Sequence, residues 1–443
     1  MVPGSLECPV RGEMLSSVVP AKATGGNKDL ELTSMDLAMK LHYIKGVYFF
    51  QPEAAQGLSI HDLKEPMFQC LELYYAASGR IRRSESGRPF IKCNDGGVRI
   101  VEAQCDKSVD EWVAMARNND HMLAHDQVLG PDLGFSPLVF VQIYKIFLTK
   151  LKYLFQFTRF KCGGVSVGLS WAHVLGDAFS ASNFLNLWGQ IMAGKQVPLQ
   201  PNSPAHNISQ FPTSISRKPF SLKKVDPVGD YWLTPNNSKM VTYSFRITAK
   251  QLHYYITTYC IHDPNKISDF EIISAMIWQS LSKAREDSGP NIVTICSNNS
   301  VDKMAMLPSN GMTLSTVEAD FCVSKVEIGE LAKLIAEKKM DENELIGELI
   351  KGDEVRSDFI VYGANLTFVN LEGTNVYGIE MKGLKPVCVN YMMNGVGEEG
   401  TVVVLPSNEK DGGNNGKMVT ITLPQHLLLK LNNILQIDWN III

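Results

Sequence analysis

The sequence lacks the features that would place a protein at once in a membrane-spanning, secreted or nucleic-acid-binding class. No apolar run reaches the ~18 residues that a spanning helix needs, and the N-terminal segment has no apolar core of a secretory signal. There are 42 lysines and arginines against 46 aspartates and glutamates, so the net charge is −4 and no basic excess is available for a nucleic acid. We therefore expect a protein that faces the cytosol and has no nucleic-acid partner.

Paired cysteines and complete metal-ligand sets are also missing. The nine cysteines form no C-x-x-C pair, so we expect reduced and mostly buried thiols. His121 and His125 have the spacing of metal ligands on a helix, but their surroundings supply only Asp120 and Asp126 and no third ligand is evident. No metal site is predicted.

What is present is an ordinary globular composition in a long chain. The chain has 443 residues, 45% of them hydrophobic, which is enough for two cores of typical domain size. Between 193 and 230 six prolines occur and no hydrophobic period survives, which indicates a linker. We predict an N-terminal domain over 1–195, a crossover linker over 196–230 and a C-terminal domain over 231–443.

Turn and cap signals locate several elements. The sequence Asn-Asp-Gly-Gly at 94–97 predicts a hairpin between strands at 90–93 and 98–101. Ser268 and Glu271 have the spacing of a capping box and predict the start of a helix.

Three glycines, Gly395, Gly397 and Gly400, spell G-x-G-x-x-G. A dinucleotide site of this pattern requires a helix immediately afterwards. The sequence that follows, TVVVLP, predicts a strand. We therefore predict a hairpin turn here and no nucleotide site.

The strongest chemical signal lies between Lys161 and Asp177. Apolar and small residues alternate over 165–172, which predicts a half-buried strand that ends at His173. Asp177 follows four residues later and opens an amphipathic helical pattern. A histidine at the end of a strand can be held rigidly in a cleft, where a general base takes a proton from a bound hydroxyl or amine.

The same two residues also have purely structural explanations. Asp177 precedes a helix and is suited to cap its N-terminus. His173 could be a hydrogen-bonded histidine of the core. The H-x-x-x-D spacing alone does not decide between these roles and catalysis.

Several stretches together resemble the plant BAHD acyltransferases. FKCGG at 160–164 followed by GLSWAHVLGD at 168–177 matches that family's HxxxD stretch, and other matches occur in the family's order at 32–37, 74–83, 134–143 and 365–371. The resemblance implies an α/β fold of mixed sheets, with two domains related to chloramphenicol acetyltransferase and a channel between them. It further implies that His173 lies at the middle of the channel as general base, while Asp177 holds the turn. Acyl-CoA would enter from one face and the acceptor from the other.

The family's second motif, D-F-G-W-G, is altered in this chain. Its place is taken by a degenerate sequence of five residues, Glu380, Met381, Lys382, Gly383 and Leu384. In the family the aspartate of this motif pairs with an arginine, and the matching stretch at 294–303 contains none. Losing one partner alone would leave a buried charge unpaired, which is strongly destabilising. The loss of both indicates divergence from the standard enzyme.

This departure, with YGANLTFVNL at 362–371 and the opening stretch LTSMDLAMKLHYIKGVYFF at 32–50, is similar to the eceriferum (glossy) branch of the family. That resemblance implies an accessory protein that promotes very-long-chain acyl-CoA elongation for cuticular wax, beside the condensing enzyme (3-ketoacyl-CoA synthase) of the fatty acid elongase. It implies a monomer held peripherally at the cytosolic face of the endoplasmic reticulum, with a cytoplasmic location as the alternative. Acyl-CoA is the implied substrate or ligand, and no bound cofactor is expected.

Residues 144–157, YKIFLTKLKYLFQF, have no counterpart in the family. Phe147, Leu151 and Leu154 have helical spacing, and the segment with Arg159 holds four basic residues and no acid. One explanation is a helix on a membrane surface, with peripheral membrane contact. The other, which we favour, is a translated intron fragment.

Three functions remain open from the sequence. The altered second motif favours an accessory protein of the elongase. The intact His173 and Asp177 favour an active acyl-CoA-dependent O- or N-acyltransferase, in which His173 deprotonates the acceptor and the acceptor attacks the thioester directly. The third is an acyl-CoA-binding protein that uses the channel as a lipid tunnel.

Overall fold

The computed structural model describes residues 10–25, 28–105, 107–115, 120–124, 134–145, 162–195, 218–260, 267–286, 289–298, 308–353, 356–408 and 416–441. Within them the strands are β1 (Val10–Val18), β2 (Asp29–Glu31), β3 (Tyr43–Phe50), β4 (Arg80–Arg83), β5 (Pro89–Lys92), β6 (Val98–Cys105), β7 (Val139–Lys145), β8 (Val165–Ala172), β9 (Lys223–Val225), β10 (Met240–Ile247), β11 (Ile292–Ser297), β12 (Thr313–Glu318), β13 (Met340–Asp341), β14 (Asp358–Ile360), β15 (Leu366–Asn370), β16 (Cys388–Asn394), β17 (Thr401–Pro406) and β18 (Lys417–Pro424).

The helices of the described residues are α1 (Ser34–Ala38), α2 (Pro52–Ala55), α3 (Ile60–Leu73), α4 (Val109–Met115), α5 (Ala178–Met192), α6 (Ala249–Tyr259), α7 (Asp269–Ala284), α8 (Ile328–Glu337), α9 (Asn343–Asp353) and α10 (Gln425–Trp439). The predicted capping box of α7 is confirmed, since the Ser268 backbone N–H donates to Glu271 Oε2 at 3.0 Å. None of these helices combines the length and apolar character needed to cross a bilayer.

Two large mixed sheets organise the chain. The first has the order β1-β6-β7-β8-β3-β16, and the second has the order β10-β18-β17-β15-β11-β12-β13. In the first sheet β3 is antiparallel to β8, with Tyr43 opposite Ala172. The residues that flank this pair, His42 and His173, therefore lie side by side at one end of the sheet. The two mixed sheets and the helices between their strands confirm the predicted fold class, α/β with mixed sheets.

One hydrophobic core joins the two sheets. It contains Ile44 and Leu169 of the first sheet together with Val369 and Val403 of the second. A second core lies on the other face of the second sheet, where Phe368 packs in the same cluster as residues of α7 and α10. The end of β8 therefore lies at a junction built by both halves of the chain.

Both predicted hairpins are wrong. The turn at 94–97 joins β5 to β6, which belong to different sheets, and the turn at 395–400 joins β16 of the first sheet to β17 of the second. The turns themselves form, with Gly97 at φ 78° and Gly395 at φ 75°. Local sequence specifies a reversal of the chain, but the partner of each strand is decided by long-range packing.

Other predictions meet the structure only in part. The strand β16, from the predicted C-terminal domain, pairs with β3 of the N-terminal sheet, and the predicted domain limits stay a prediction.

The segment 144–157, which has no counterpart in the family, begins as part of a strand. Tyr144 and Lys145 continue β7 opposite Ser166 and Val165, whereas 146–157 lie outside the described residues. His125 and the side chain of His121 also lie outside them. Among the described residues no group of three or more His, Cys, Asp or Glu side chains could hold a metal.

Candidate active site

His173 is the first residue after β8, as the strand pattern predicted. Its backbone N–H donates to the His42 carbonyl oxygen at 3.2 Å, which fastens the ends of β8 and β3 together. Its side chain is buried, with a relative exposure of 1%. The imidazole is therefore fixed at the junction of the two halves and shielded from bulk water.

Asn310 sets the tautomer of His173. The Asn310 Nδ2 donates to Asp36 Oδ1 at 2.8 Å and to the His173 carbonyl oxygen at 2.9 Å. This orientation turns Asn310 Oδ1 toward His173 Nδ1 at 3.0 Å. An amide oxygen only accepts hydrogen bonds, so Nδ1 carries the proton and Nε2 keeps its lone pair. A general base needs this arrangement.

The lone pair of His173 Nε2 already accepts a hydrogen bond from another residue of the chain. The Tyr362 hydroxyl lies 2.9 Å from Nε2 and donates to it. Tyr362 is fully buried, and its ring makes an edge contact with His42 at 4.9 Å between centroids. The Tyr362 hydroxyl therefore stands where the hydroxyl of an acceptor would have to bind for His173 to deprotonate it.

The backbone around Tyr362 is held on both sides. His42 Nε2 accepts from the Val361 N–H at 3.0 Å, and the Tyr362 carbonyl oxygen accepts from the Gly397 N–H at 2.8 Å. At Gly397, an added Cβ would lie 2.6 Å from the Gly363 carbonyl oxygen. The second glycine of G-x-G-x-x-G thus allows the close backbone approach that positions Tyr362.

Burial sets the protonation of these groups. It lowers the pKa of His173 to about 4, and burial together with the neighbouring His173 lowers the pKa of His42 to about 3. Burial raises the pKa of Tyr362 well above its usual value, so the phenol keeps its proton. At neutral pH the site is an uncharged hydrogen-bonded chain from Tyr362 through His173 to Asn310.

Asp177 caps α5 and positions the turn. Its Oδ1 accepts from the Ser180 N–H and its Oδ2 from the Gly311 N–H, both at 3.1 Å. The imidazole nitrogens of His173 are bonded to other residues, so Asp177 does not orient the ring directly. The Asp177 N–H donates to the Ser309 carbonyl oxygen at 3.0 Å. Asp177 therefore joins the turn after β8 to the 309–311 segment of the second half.

The degenerate second motif forms a tight turn. Met381 is buried and exchanges two backbone hydrogen bonds of 2.9 Å with Leu384, and the two residues between them, Lys382 and Gly383, have φ of 51° and 75°. Lys382 Nζ donates to the Gln56 carbonyl oxygen.

The first residue of this motif, Glu380, forms an ion pair at the surface. Glu380 lies 3.5 Å from Lys195, and the two side chains are 26% and 57% exposed. A pair of this kind contributes about 0–1 kcal/mol to stability. The substitute partner of Glu380 is therefore a lysine of the first half and not an arginine.

Sequence reasoning missed four residues of the site. Tyr362, Asn310, His42 and Asp36 complete the hydrogen-bond network around His173. Tyr362 and Asp36 lie in stretches that matched the family, but nothing in those stretches indicates contact with His173. His42 also lies in a matched stretch, at 32–50, whereas Asn310 has no local signal.

The buried groups predict a specific dependence of stability on pH. His42 and His173 bind protons in the unfolded chain below about pH 6.5 but remain neutral in the folded chain until about pH 3 to 4. They therefore lower the free energy of unfolding as pH falls through this range. Burial raises the pKa of Asp177 to about 6, so this carboxyl binds its proton earlier in the folded chain and opposes one histidine between about pH 6 and 4.

We therefore expect Asp177→Asn to steepen the loss of stability below pH 6. Each net proton changes the free energy of unfolding by about 1.4 kcal/mol per pH unit. These groups contribute one net proton in the wild type and two in the variant. Denaturant unfolding at pH 7, 6 and 5 measures the difference in slope between the two proteins. Equal slopes would contradict the titration of Asp177 in this range.

Known proteins share both the sequence and the fold. Residues 13–434 match the model of the Transferase family. The chain is 40% identical to Protein ECERIFERUM 26-like of Arabidopsis thaliana, over 94% of this chain and 93% of that protein. It is also 40% identical to Protein ECERIFERUM 2 of Arabidopsis thaliana, over 96% of this chain and 97% of that protein.

Solved structures show the same fold at low identity. The crystal structure of vinorine synthase has a TM-score of 0.68 and 16% identity, covering 95% of this chain and 96% of that one. F. sporotrichioides TRI101 complexed with coenzyme A and T-2 has a TM-score of 0.68 and 13% identity, covering 94% of this chain and 98% of that one.

Proposed function

The chain belongs to the Transferase family, the BAHD acyltransferases, and on that premise we propose that it is an accessory protein of acyl-chain elongation. It binds beside the condensing enzyme, 3-ketoacyl-CoA synthase, of the fatty acid elongase, and it promotes the elongation of very-long-chain acyl-CoA for cuticular wax. It acts as a monomer held peripherally at the cytosolic face of the endoplasmic reticulum. The likeness to the two ECERIFERUM proteins supports the role.

The observation that carries this proposal is the hydrogen bond from the Tyr362 hydroxyl to His173 Nε2 at 2.9 Å. A general base must lie within hydrogen-bond reach of the proton that it takes from the acceptor. Here both residues are buried and satisfy one another. The site is thus complete without an acceptor, which suits a scaffold better than a catalyst.

Acyl-CoA is the ligand that we propose for this scaffold. TRI101, which has the same fold, is complexed with coenzyme A. In this chain the ligand would be bound and presented to the condensing enzyme, since no step here requires His173 to move a proton.

An active acyltransferase is the second candidate. The orientation of Asn310 leaves His173 Nε2 without a proton, as a base requires. In that case Tyr362 would have to move aside when an acceptor binds. The two functions differ in whether His173 is needed.

We expect His173→Ala to leave elongation unchanged. The chain is expressed in yeast with a plant condensing enzyme, and the acyl chain lengths are measured for the wild type and the variant. Removal of a working general base would reduce the rate by about 10²–10⁴-fold, whereas an accessory role needs only the folded scaffold. Immunoblots compare protein levels, and His253→Ala, exposed on α6, is the matched control. If the wild type lengthens the acyl chains and a folded His173→Ala does not, His173 is a catalytic residue and the accessory role is contradicted.

A further inference from the structure

The segment between β9 and β10, residues 228–238, contacts two supports of the Tyr362 backbone, and we call it the strap. The first support is β14, which ends at Ile360, two residues before Tyr362. The second is the turn after β16, where the Gly397 N–H donates to the Tyr362 carbonyl oxygen at 2.8 Å. Because the strap bonds to both supports, its position is linked to that of Tyr362.

The first part of the strap is fixed at β14. The Val228 N–H donates to Asp358 Oδ2 at 2.8 Å, and Asp358 Oδ1 pairs with Lys40. Lys40 Nζ also lies 5.2 Å from the centroid of the Trp232 ring, which is buried. The strap is thus held at the start of the segment that carries Tyr362.

Trp232 gives the strap an unfavourable local conformation. Its φ of 49° and ψ of 43° lie in the left-handed region, which large side chains rarely adopt. Its indole N–H is buried without a hydrogen-bond partner. Both features cost free energy and persist only where surrounding contacts impose them. The strap should therefore loosen when those contacts are removed.

The last part of the strap is fastened to the turn after β16. Thr234 Oγ1 donates to the Gly395 carbonyl oxygen, and Asn236 Nδ2 donates to the Val396 carbonyl oxygen, both at 2.6 Å. These two acceptors immediately precede Gly397, which bonds to Tyr362. The turn is therefore held by the strap on one side and holds Tyr362 on the other.

Glu398 makes the strongest contact between this turn and the strap. Its Oε1 accepts from the Asn237 N–H at 2.8 Å and from the Ser238 N–H at 2.9 Å. Hydrogen bonds to a charged acceptor are roughly twice as strong as those between neutral groups. Glu398 directly follows Gly397 in the chain, so its loss should loosen the strap and the turn together.

We propose that the strap is an autoinhibitory element that keeps the Tyr362 hydroxyl on His173, and that Glu398 is the positioning residue that holds the strap closed. The proposal rests on the proposed function, in which Tyr362 occupies the general base. When the strap opens, both supports of the Tyr362 backbone weaken. His173 Nε2 is then available only in molecules whose strap is open.

Amide hydrogen exchange of the full chain tests the link between the strap and Tyr362. Glu398→Ala removes the acceptor of two strap N–H groups, and one hydrogen bond to a charged group is worth about tenfold or more in an opening equilibrium. Exchange should therefore accelerate by at least about tenfold in peptides that cover 234–238 and also in those that cover 361–362. Unfolding curves show that the variant is folded.

Two matched variants control for a general loss of structure. Glu398→Gln keeps an oxygen acceptor at the same position and should restore most of the slow exchange at 361–362. Glu399→Ala changes the adjacent carboxylate, which pairs with Arg285 and not with the strap, and should exchange at 361–362 as the wild type does.

Release of coenzyme A thiol from palmitoyl-CoA is the second measurement. The rate is proportional to the fraction of molecules with an open strap, so Glu398→Ala should raise it by at least about tenfold over the wild type. The rise should disappear in Glu398→Ala/His173→Ala. Adding Glu398→Ala to Tyr362→Ala should give no further rise, because the phenol is already gone.

The exchange data decide the proposal. It is overturned if a folded Glu398→Ala leaves exchange unchanged in the strap, if the strap exchanges faster while 361–362 do not, or if Glu399→Ala has an equal effect. Faster exchange at 361–362 with no thiol release from either Glu398→Ala or Tyr362→Ala would leave the strap in place as a support of Tyr362. That result would contradict the proposed function instead, because Tyr362 would then not be what blocks His173.

Discussion

Replacing Lys40 by methionine is expected to lower the free energy of unfolding by about 3–5 kcal/mol. Lys40 forms an ion pair with Asp358, and the two side chains are only 9% and 4% exposed. Methionine fills a similar volume but leaves the Asp358 carboxylate buried without its countercharge. The Asp358 Oδ2 also accepts from the Val228 N–H at 2.8 Å, which anchors the end of the crossover. Denaturant unfolding of the two proteins at pH 7 measures the loss.

A double variant separates the ion pair from the packing. Lys40→Met with Asp358→Asn removes both charges while the amide oxygen still accepts from Val228, so most of the lost stability should return. Lys195→Met, at the half-exposed pair with Glu380, is the matched control and should cost less than about 1 kcal/mol. A double variant as unstable as Lys40→Met would show that the ammonium acts through packing and not through charge.

These two ion pairs bear on how the chain departs from its family. The resemblance implied a structural ion pair at the second motif, and among the described residues Glu380 pairs with the solvent-exposed Lys195 at 3.5 Å. A buried ion pair instead joins Lys40, just before β3, to Asp358 of β14. The junction of the two halves is thus held by charge at Lys40 and Asp358 and by hydrogen bonds at Asp177.

The elements around His173 that were predictable are those whose signals are local. The strand over 165–172 and the cap at Asp177 each depend on residues within a few positions, and both form in the structure. The prediction that this strand is half-buried is wrong, because β8 is buried on both faces, including Ser166 and Ser170. Strand partners were not predictable in the same way, because β16 reaches β3 across more than half the chain. The two hairpin predictions failed for that reason.

The residues that surround His173 in the site were even harder to predict from the sequence. The hydrogen bond between His173 and Tyr362 spans 189 positions, and the one between Asn310 and Asp36 spans 274. The contact between Tyr362 and His173 produces no pattern in the sequence around either residue. The H-x-x-x-D spacing found the histidine, but the structure was needed to show what its Nε2 binds.

Removing the Tyr362 side chain is expected to produce an acyl-CoA hydrolase from this scaffold. In Tyr362→Ala a water can take the place of the phenol and donate to His173 Nε2, with the acyl thioester bound as the proposed function requires. General-base assistance is worth about 10²–10⁴-fold, so release of free coenzyme A thiol from palmitoyl-CoA should rise by that factor over the wild type. A thiol-reactive dye follows the release.

Tyr362→Phe and the double variant Tyr362→Ala/His173→Ala are the controls. Phenylalanine removes the hydroxyl but leaves no room for water, so thiol release should stay at background. The unsatisfied Nε2 should cost about 1–3 kcal/mol of stability. The double variant should also stay at background, because the water then has no base. Rapid thiol release by the wild type itself would show that Tyr362 does not block His173.

The stability of Tyr362→Ala decides how its result is interpreted. Truncating a fully buried aromatic residue costs about 3–5 kcal/mol, so its unfolding curve must show a folded protein at the assay temperature. A folded Tyr362→Ala that releases no thiol would mean that the Tyr362 hydroxyl is not what prevents His173 from acting as a general base. A folded variant could also release thiol and still lengthen acyl chains in yeast. That result would show that hydrolysis and elongation use different parts of one scaffold. His173 would then activate a water for hydrolysis, while the condensing enzyme would not require His173.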